Sequence, residues 1–216
     1  MHTGSRNRLT PQQVDLFPGD TLFARLARAV CGAGVLPRKE LYEAWEVARR
    51  VHRRLRGGRV VDLCCGHGLL AQVLLLLDET ATGALAVDTR LTDNHLLLAD
   101  AVAAAWPRLQ GRVSFRQARL EDVELFPDDL IVSAHACGDL TDTILTRAIE
   151  VGARVAVLPC CQVLRTHGDL DGWLDKALAV DVERAVRLRA AGYQIHTQAI
   201  PAEISPKNRL LLASPN

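Results

Sequence analysis

The sequence has no long uninterrupted apolar stretch. Its longest, around Leu69–Leu77, is well short of the ~20 residues that span a bilayer, which argues against a membrane-embedded chain. The first dozen residues are polar and carry no apolar centre, so no secretory signal is expected. There is no CxxC pair, so the usual zinc-ribbon spacing is missing. No internal repeat, linker or low-complexity tract interrupts the 216 residues, and one α/β domain over residues 1–216 is the expectation. Six cysteines without a secretory signal imply reduced thiols, and a soluble cytoplasmic protein follows as the expectation. Net charge is only +1, but residues 1–60 carry +7 and the remainder −6. The basic excess peaks at Arg49, Arg50, Arg53, Arg54 and Arg56, which reads either as a solvated helix face or as a phosphate-contacting patch beside a ligand site.

Residues 1–57 read as a loose Pro-containing leader (1–18) and two helices, near 21–31 and 38–55, that cap the sheet or the ligand cleft. Residues 58–216 form the core. Strands are expected at 59–63, 84–88, 112–116, 129–134, 153–158, 193–199 and 208–213. Helices are expected at 68–78, 92–105, 120–124, 141–150 and 171–191. Strands alternating with helices specify a Rossmann-like, doubly wound, seven-stranded and mostly parallel sheet. The last two strands have no helix between them and should pair as an antiparallel hairpin. Trp45, Trp106 and Trp173 fall on apolar helical faces and read as core.

The chain is organised around Arg59–Ala71, a buried strand that turns through Gly66-His67-Gly68 into a helix. Such a turn brings backbone N–H groups to the mouth of a sheet, where a nucleotide-like ligand approaches closely. Asp88, twenty residues beyond Gly68, ends the next strand, where an acidic side chain binds both hydroxyls of a ribose. Asp62, four residues before Gly66, is suited to the amino-acid end of S-adenosylmethionine. Gly66-x-Gly68-x-x-Ala71 also satisfies the dinucleotide fingerprint, so a nicotinamide cofactor stays open at this stage.

Val61-Asp62-Leu63-Cys64-Cys65-Gly66-His67-Gly68 resembles motif I of class I methyltransferases, with Cys64 where many carry the first glycine. Ala134-His135-Ala136-Cys137-Gly138-Asp139 and Leu158-Pro159-Cys160-Cys161 resemble the paired HACG and PCC motifs of one methyltransferase-domain family. Ile204–Leu211 resembles that family's closing PKN strand. The family includes the 2′-O-methyltransferase of the tRNA acceptor stem. The chain departs from that enzyme in lacking its zinc-finger-like modules and in placing Gln162-Val163 after the PCC motif. The resemblance implies S-adenosylmethionine as cofactor, with Asp62, Cys64, Gly66, His67, Gly68, Asp88 and Ala134 around it. The adenine is left to Leu120 or Glu121, because no acidic residue stands at Arg119 or Leu120.

His135, Cys137, Asp139, Cys160 and Cys161 fall on loops at the carboxyl ends of strands, where a doubly wound sheet binds ligands. His135 reads as general base or substrate orienter, and Asp139 as its orienter, a substrate contact or a helix cap. Three readings of the cysteines remain: packing, a metal or metalloid site with His135, and covalent catalysis. Methyl transfer to structured RNA is the first expectation. A small-molecule or protein acceptor, or a cofactor-binding domain without turnover, are the alternatives.

Overall fold

The computed structural model describes residues 2–160, 170 and 172–216. Seven strands form one sheet: β1 (Gly58–Leu63), β2 (Ala81–Asp88), β3 (Val113–Gln117), β4 (Leu130–Ser133), β5 (Arg154–Val157), β6 (Tyr193–Ala199) and β7 (Arg209–Pro215). Their order is β3-β2-β1-β4-β5-β7-β6, and the strands reverse direction only where β7 runs antiparallel between β5 and β6. The order switches at β1, which lies between β2 and β4. Ligands gather beyond the carboxyl ends of the strands at such a switch point.

Among the described residues, six α-helices flank the sheet: α1 (Leu22–Ala33), α2 (Arg38–His52), α3 (Leu69–Leu77), α4 (Asn94–Ala105), α5 (Asp139–Val151) and α6 (Lys176–Ala190). Successive strand side chains point to opposite faces, and the core divides accordingly. Val60, Val132, Ala156 and Leu212 pack with α1–α4, whereas Val61, Ile131, Val155 and Ala213 pack with α5 and α6. The first face is the thicker one, because α2 lies on α3 and α1 on α4. α3 is apolar almost all round, which fits a helix covered on both sides.

Three expectations change. The leader is not loose: Leu9 is fully buried, its N–H donates to the Leu36 carbonyl, and residues 11–16 form a 3-10 helix. The carbonyls of Ser5 and Asn7 accept from the N–H groups of Lys39 and Arg38, so the leader caps α2 in place of a side chain. Trp173 is 91% exposed and precedes α6, because that helix starts at Lys176 rather than near 171. The arginine cluster is not beside the ligand end of the sheet. It sits at the carboxyl end of α2, where the Arg154 side chain joins the Arg56 and Gly57 carbonyls just before β1 begins, at the opposite edge.

Candidate active site

A cleft of about 640 Å³ opens beyond the carboxyl ends of β1, β2 and β4. Cys64, Gly66, His67 and Asp88 line one side, Leu120 and Glu121 another, and His135 and Cys137 a third. The turn after β1 is tightly wound. Cys64 has φ 60, the only positive φ at a non-glycine position among the described residues, and it occupies the place where motif I usually has glycine. Gly68 caps α3 with φ 70, and a Cβ there would stand 2.6 Å from Phe115 Cε1. A Cβ on Gly66 would meet no atom within 4 Å, because the space beside it is the cleft.

The turn is held by its own hydrogen bonds. Gly66 donates to Asp88 Oδ2 at 3.0 Å, Cys65 to the Val87 carbonyl and Gly68 to the Cys65 carbonyl. Ala71, the third residue of α3, donates to Asp62 Oδ2 at 3.3 Å. A dinucleotide pyrophosphate needs such N–H groups at the helix N-terminus. Here one of them, the Ala71 N–H, is taken by Asp62, which is buried behind the turn. Burial pushes the Asp62 carboxyl up to about 7, against the Ala71 N–H, which lowers it, and with help from the charge of Asp88.

The Asp88 carboxylate lines the cleft, with its Oδ1 accepting from the Arg90 N–H, and retains lone-pair positions for ribose hydroxyls. The Leu120 carbonyl already accepts from Arg147, and the Glu121 carboxylate pairs with Arg119 at 3.4 Å. Asp62 is only 1% exposed and supports the turn from behind, so any contact with a cofactor would pass through that turn. Ala134 lines a smaller recess beside His135 rather than the cleft itself.

α2 contributes two carboxylates that had no motif to mark them. Glu40 Oε2 lies 3.4 Å from His67 Nδ1, and Glu43 Oε2 lies 3.1 Å from His135 Nε2. Glu43 is 1% exposed, and its other oxygen is 2.9 Å from Lys39 Nζ. Both Glu43 contacts are off the ideal hydrogen-bond direction: the one to Lys39 is an ion pair, and the one to His135 becomes an ion pair only when the imidazole is protonated. Burial alone would raise the Glu43 carboxyl, but His135 and Lys39 outweigh it and hold the group below its usual range. Asp139, the first residue of α5, is exposed and follows the cap Gly138, and the carboxylate facing His135 is Glu43.

The thiols differ sharply. Burial, then the charges of Asp88 and Asp62, pushes Cys64 up to about 12, and burial with the same carboxylates raises Cys65 further. Neither is set up as a nucleophile. Cys137 is exposed, and its Sγ is 2.9 Å from Cys160 Sγ. Cys161 lies outside the described residues. Among the described residues, no three His, Cys, Asp or Glu side chains are arranged to hold a metal ion.

A seven-stranded sheet with a reversed β7 and a cleft at the β1 switch point defines a class I methyltransferase fold. The profile of a methyltransferase-domain family matches residues 38–166, and the chain belongs to that family. No curated protein matches it. Among solved structures it is similar to an O-methyltransferase family protein from Burkholderia thailandensis, with 20% identity and a TM-score of 0.55 over 98% of this chain and 65% of that one. It is also similar to the tRNA methyltransferase TrmK of B. subtilis, with 21% identity and a TM-score of 0.52 over 79% and 65% of the two chains. A ribosomal protein methylase from Lactobacillus delbrueckii subsp. bulgaricus follows at 17% identity and 0.51, over 83% and 79%. The chain thus spans just under two thirds of the first two structures. Among the described residues, no helix is long and apolar enough to cross a membrane.

Proposed function

We propose that the protein transfers a methyl group from S-adenosylmethionine to a nucleophile in structured RNA, with His135 as general base. The observation that carries this reading is the buried, ionised Glu43 set 3.1 Å from His135 Nε2 at the wall of a nucleoside-sized cleft. When bound, the cofactor supplies an electrophilic methyl on sulfur. Asp88 would hold its ribose, the Gly66 turn its amino-acid end, and Leu120 with Glu121 its adenine. On the acceptor side, Glu43 fixes the imidazole and His135 takes the acceptor's proton. The resulting imidazolium is stabilised by the carboxylate behind it, an arrangement of base and orienter shared by many acid–base sites.

RNA as the acceptor is supported by the similarity to a tRNA methyltransferase and by a cation near His135. Arg6 and Lys39 line a second hollow of about 260 Å³ that His135 shares with the cleft; Glu40 and Glu43 line it too, and Lys39 pairs with Glu43, which leaves Arg6 as the cation facing an acceptor. The test is transfer of a labelled methyl group into fractionated RNA, protein and metabolites, using the intact chain and His135→Asn. Label in RNA that falls at least 100-fold with His135→Asn is expected for a general base. Label confined to protein or metabolites would overturn the acceptor. Full turnover by His135→Asn would overturn the base, and cofactor binding without transfer to any fraction would leave a binding domain.

A further inference from the structure

We propose that Cys137 and Cys160 form a redox-active dithiol at the lip of the cleft, which a low-molecular-weight disulfide converts to an intrachain disulfide. β4 and β5 are paired up to Ser133 and Val157, so the loops that follow leave the sheet side by side. Cys137 is four residues beyond Ser133 and Cys160 three beyond Val157. Their Sγ atoms stand 2.9 Å apart, whereas a disulfide bond is about 2.0 Å long, so closure needs a movement of only about 1 Å. Cys137 is exposed and lines the cleft, which gives an oxidant access. Cys31 is buried, and Cys64 is held protonated near neutral pH, so neither competes.

The chemistry balances with oxidised glutathione as the oxidant. The Cys137 thiolate attacks one glutathione sulfur, the glutathione disulfide breaks, and one glutathione leaves as thiolate. The Cys160 thiolate then attacks the Cys137 sulfur of the mixed disulfide and expels the second glutathione. The two cysteine protons end on the two released thiolates. The disulfide also reaches the catalytic loop, because His135 is two residues before Cys137 and its carbonyl is 3.7 Å from Cys160 Sγ. Since misplacing a reacting group by about 1 Å can cost ~100-fold in rate, oxidation should slow methyl transfer. That last consequence rests on the function proposed above; the dithiol itself does not.

The test equilibrates the intact protein with glutathione buffers of rising oxidised fraction and maps its cysteine peptides by mass spectrometry. A Cys137–Cys160 cross-linked peptide is expected, with Cys160→Ser giving only a glutathione adduct at Cys137. Absence of that cross-link in the unaltered protein, or a cross-link through Cys161 in its place, overturns the proposal. Turnover of the oxidised protein should fall at least tenfold and return with dithiothreitol. Cross-linking with unchanged turnover overturns the regulatory part. A cross-link in a protein that shows no turnover even when reduced overturns the methyl-transfer reading and supports the dithiol.

Discussion

Glu43 carries the largest functional consequence of any residue the motifs passed over. Lys39 and Glu43 are four apart on α2, which reads as an ordinary solvent-facing helix pair. The fold instead buries Glu43 beside Val47 and turns its free oxygen to His135. Glu43→Gln keeps the size and removes the charge. It should lower kcat by on the order of 100-fold while leaving the cofactor KM within about twofold. Steady-state kinetics against cofactor and acceptor would show this, and an unchanged kcat would remove Glu43 from the mechanism. Asp62 offers a stability test with a definite sign. Its folded carboxyl is raised from the model-compound 3.8 to about 7, so the folded state holds the proton more tightly than the unfolded chain does. Its favourable contribution is complete below about pH 4 and is lost as pH rises towards 7. Asp62→Asn should therefore gain in melting temperature relative to the unaltered protein between pH 5 and pH 8. A gap that narrows over that range would contradict the assignment.

At the scale of elements, the two glycines of the β1–α3 turn do different work although four residues of sequence, Cys65–Gly68, hold both. Gly68 is pressed against Phe115, whose ring also lies 4.5 Å from that of His95, so an added Cβ has nowhere to go. Gly66 faces open cleft, so an added Cβ clashes only with whatever occupies that space. Gly68→Ala should cost about 2 kcal/mol or more, from a disfavoured left-handed backbone and overpacking. Gly66→Ala should cost about 1 kcal/mol yet weaken binding of S-adenosylhomocysteine at least tenfold. Denaturant melts and calorimetric titration would separate the two, and equal effects of both substitutions on binding would refute the division. α2 shows a related split along its length. Its first turn is fastened by leader carbonyls, its first two turns present Glu40 and Glu43 to the site, and its last turn carries Arg49 and Arg50.

For the whole molecule, that split bears on how the proposed RNA acceptor would be held. Arg53 and Arg54 are exposed and follow Glu43 by about ten helical residues, or ~15 Å along the axis. Arg49 and Arg50 are partly committed to Glu46. An acceptor reaching both His135 and this patch must be longer than a nucleoside. Arg53→Glu with Arg54→Glu should leave kcat within about twofold, raise KM for structured RNA, and reduce the magnitude of the salt slope of binding by one to two. Filter binding across a salt series would measure it. An unchanged slope would mean that RNA, if it is the acceptor, does not touch this face.

The alternation of strands and helices, the terminal hairpin and the motif I turn were legible in sequence because each rests on local periodicity and turn chemistry. Asp88 and His135 were legible because a strand's carboxyl end is itself a position on the ligand side of the sheet. What sequence left open was decided by groups brought together from afar. Asp62 bracing the first turn of α3 depends on a hydrogen bond spanning nine residues. Glu43 behind His135 joins residues 92 apart, and the leader's grip on α2 joins segments with no shared pattern. Local sequence fixes which way the backbone turns and which faces are apolar. Only tertiary packing decides which charges are taken out of water together, and in this protein those buried charges define the candidate site.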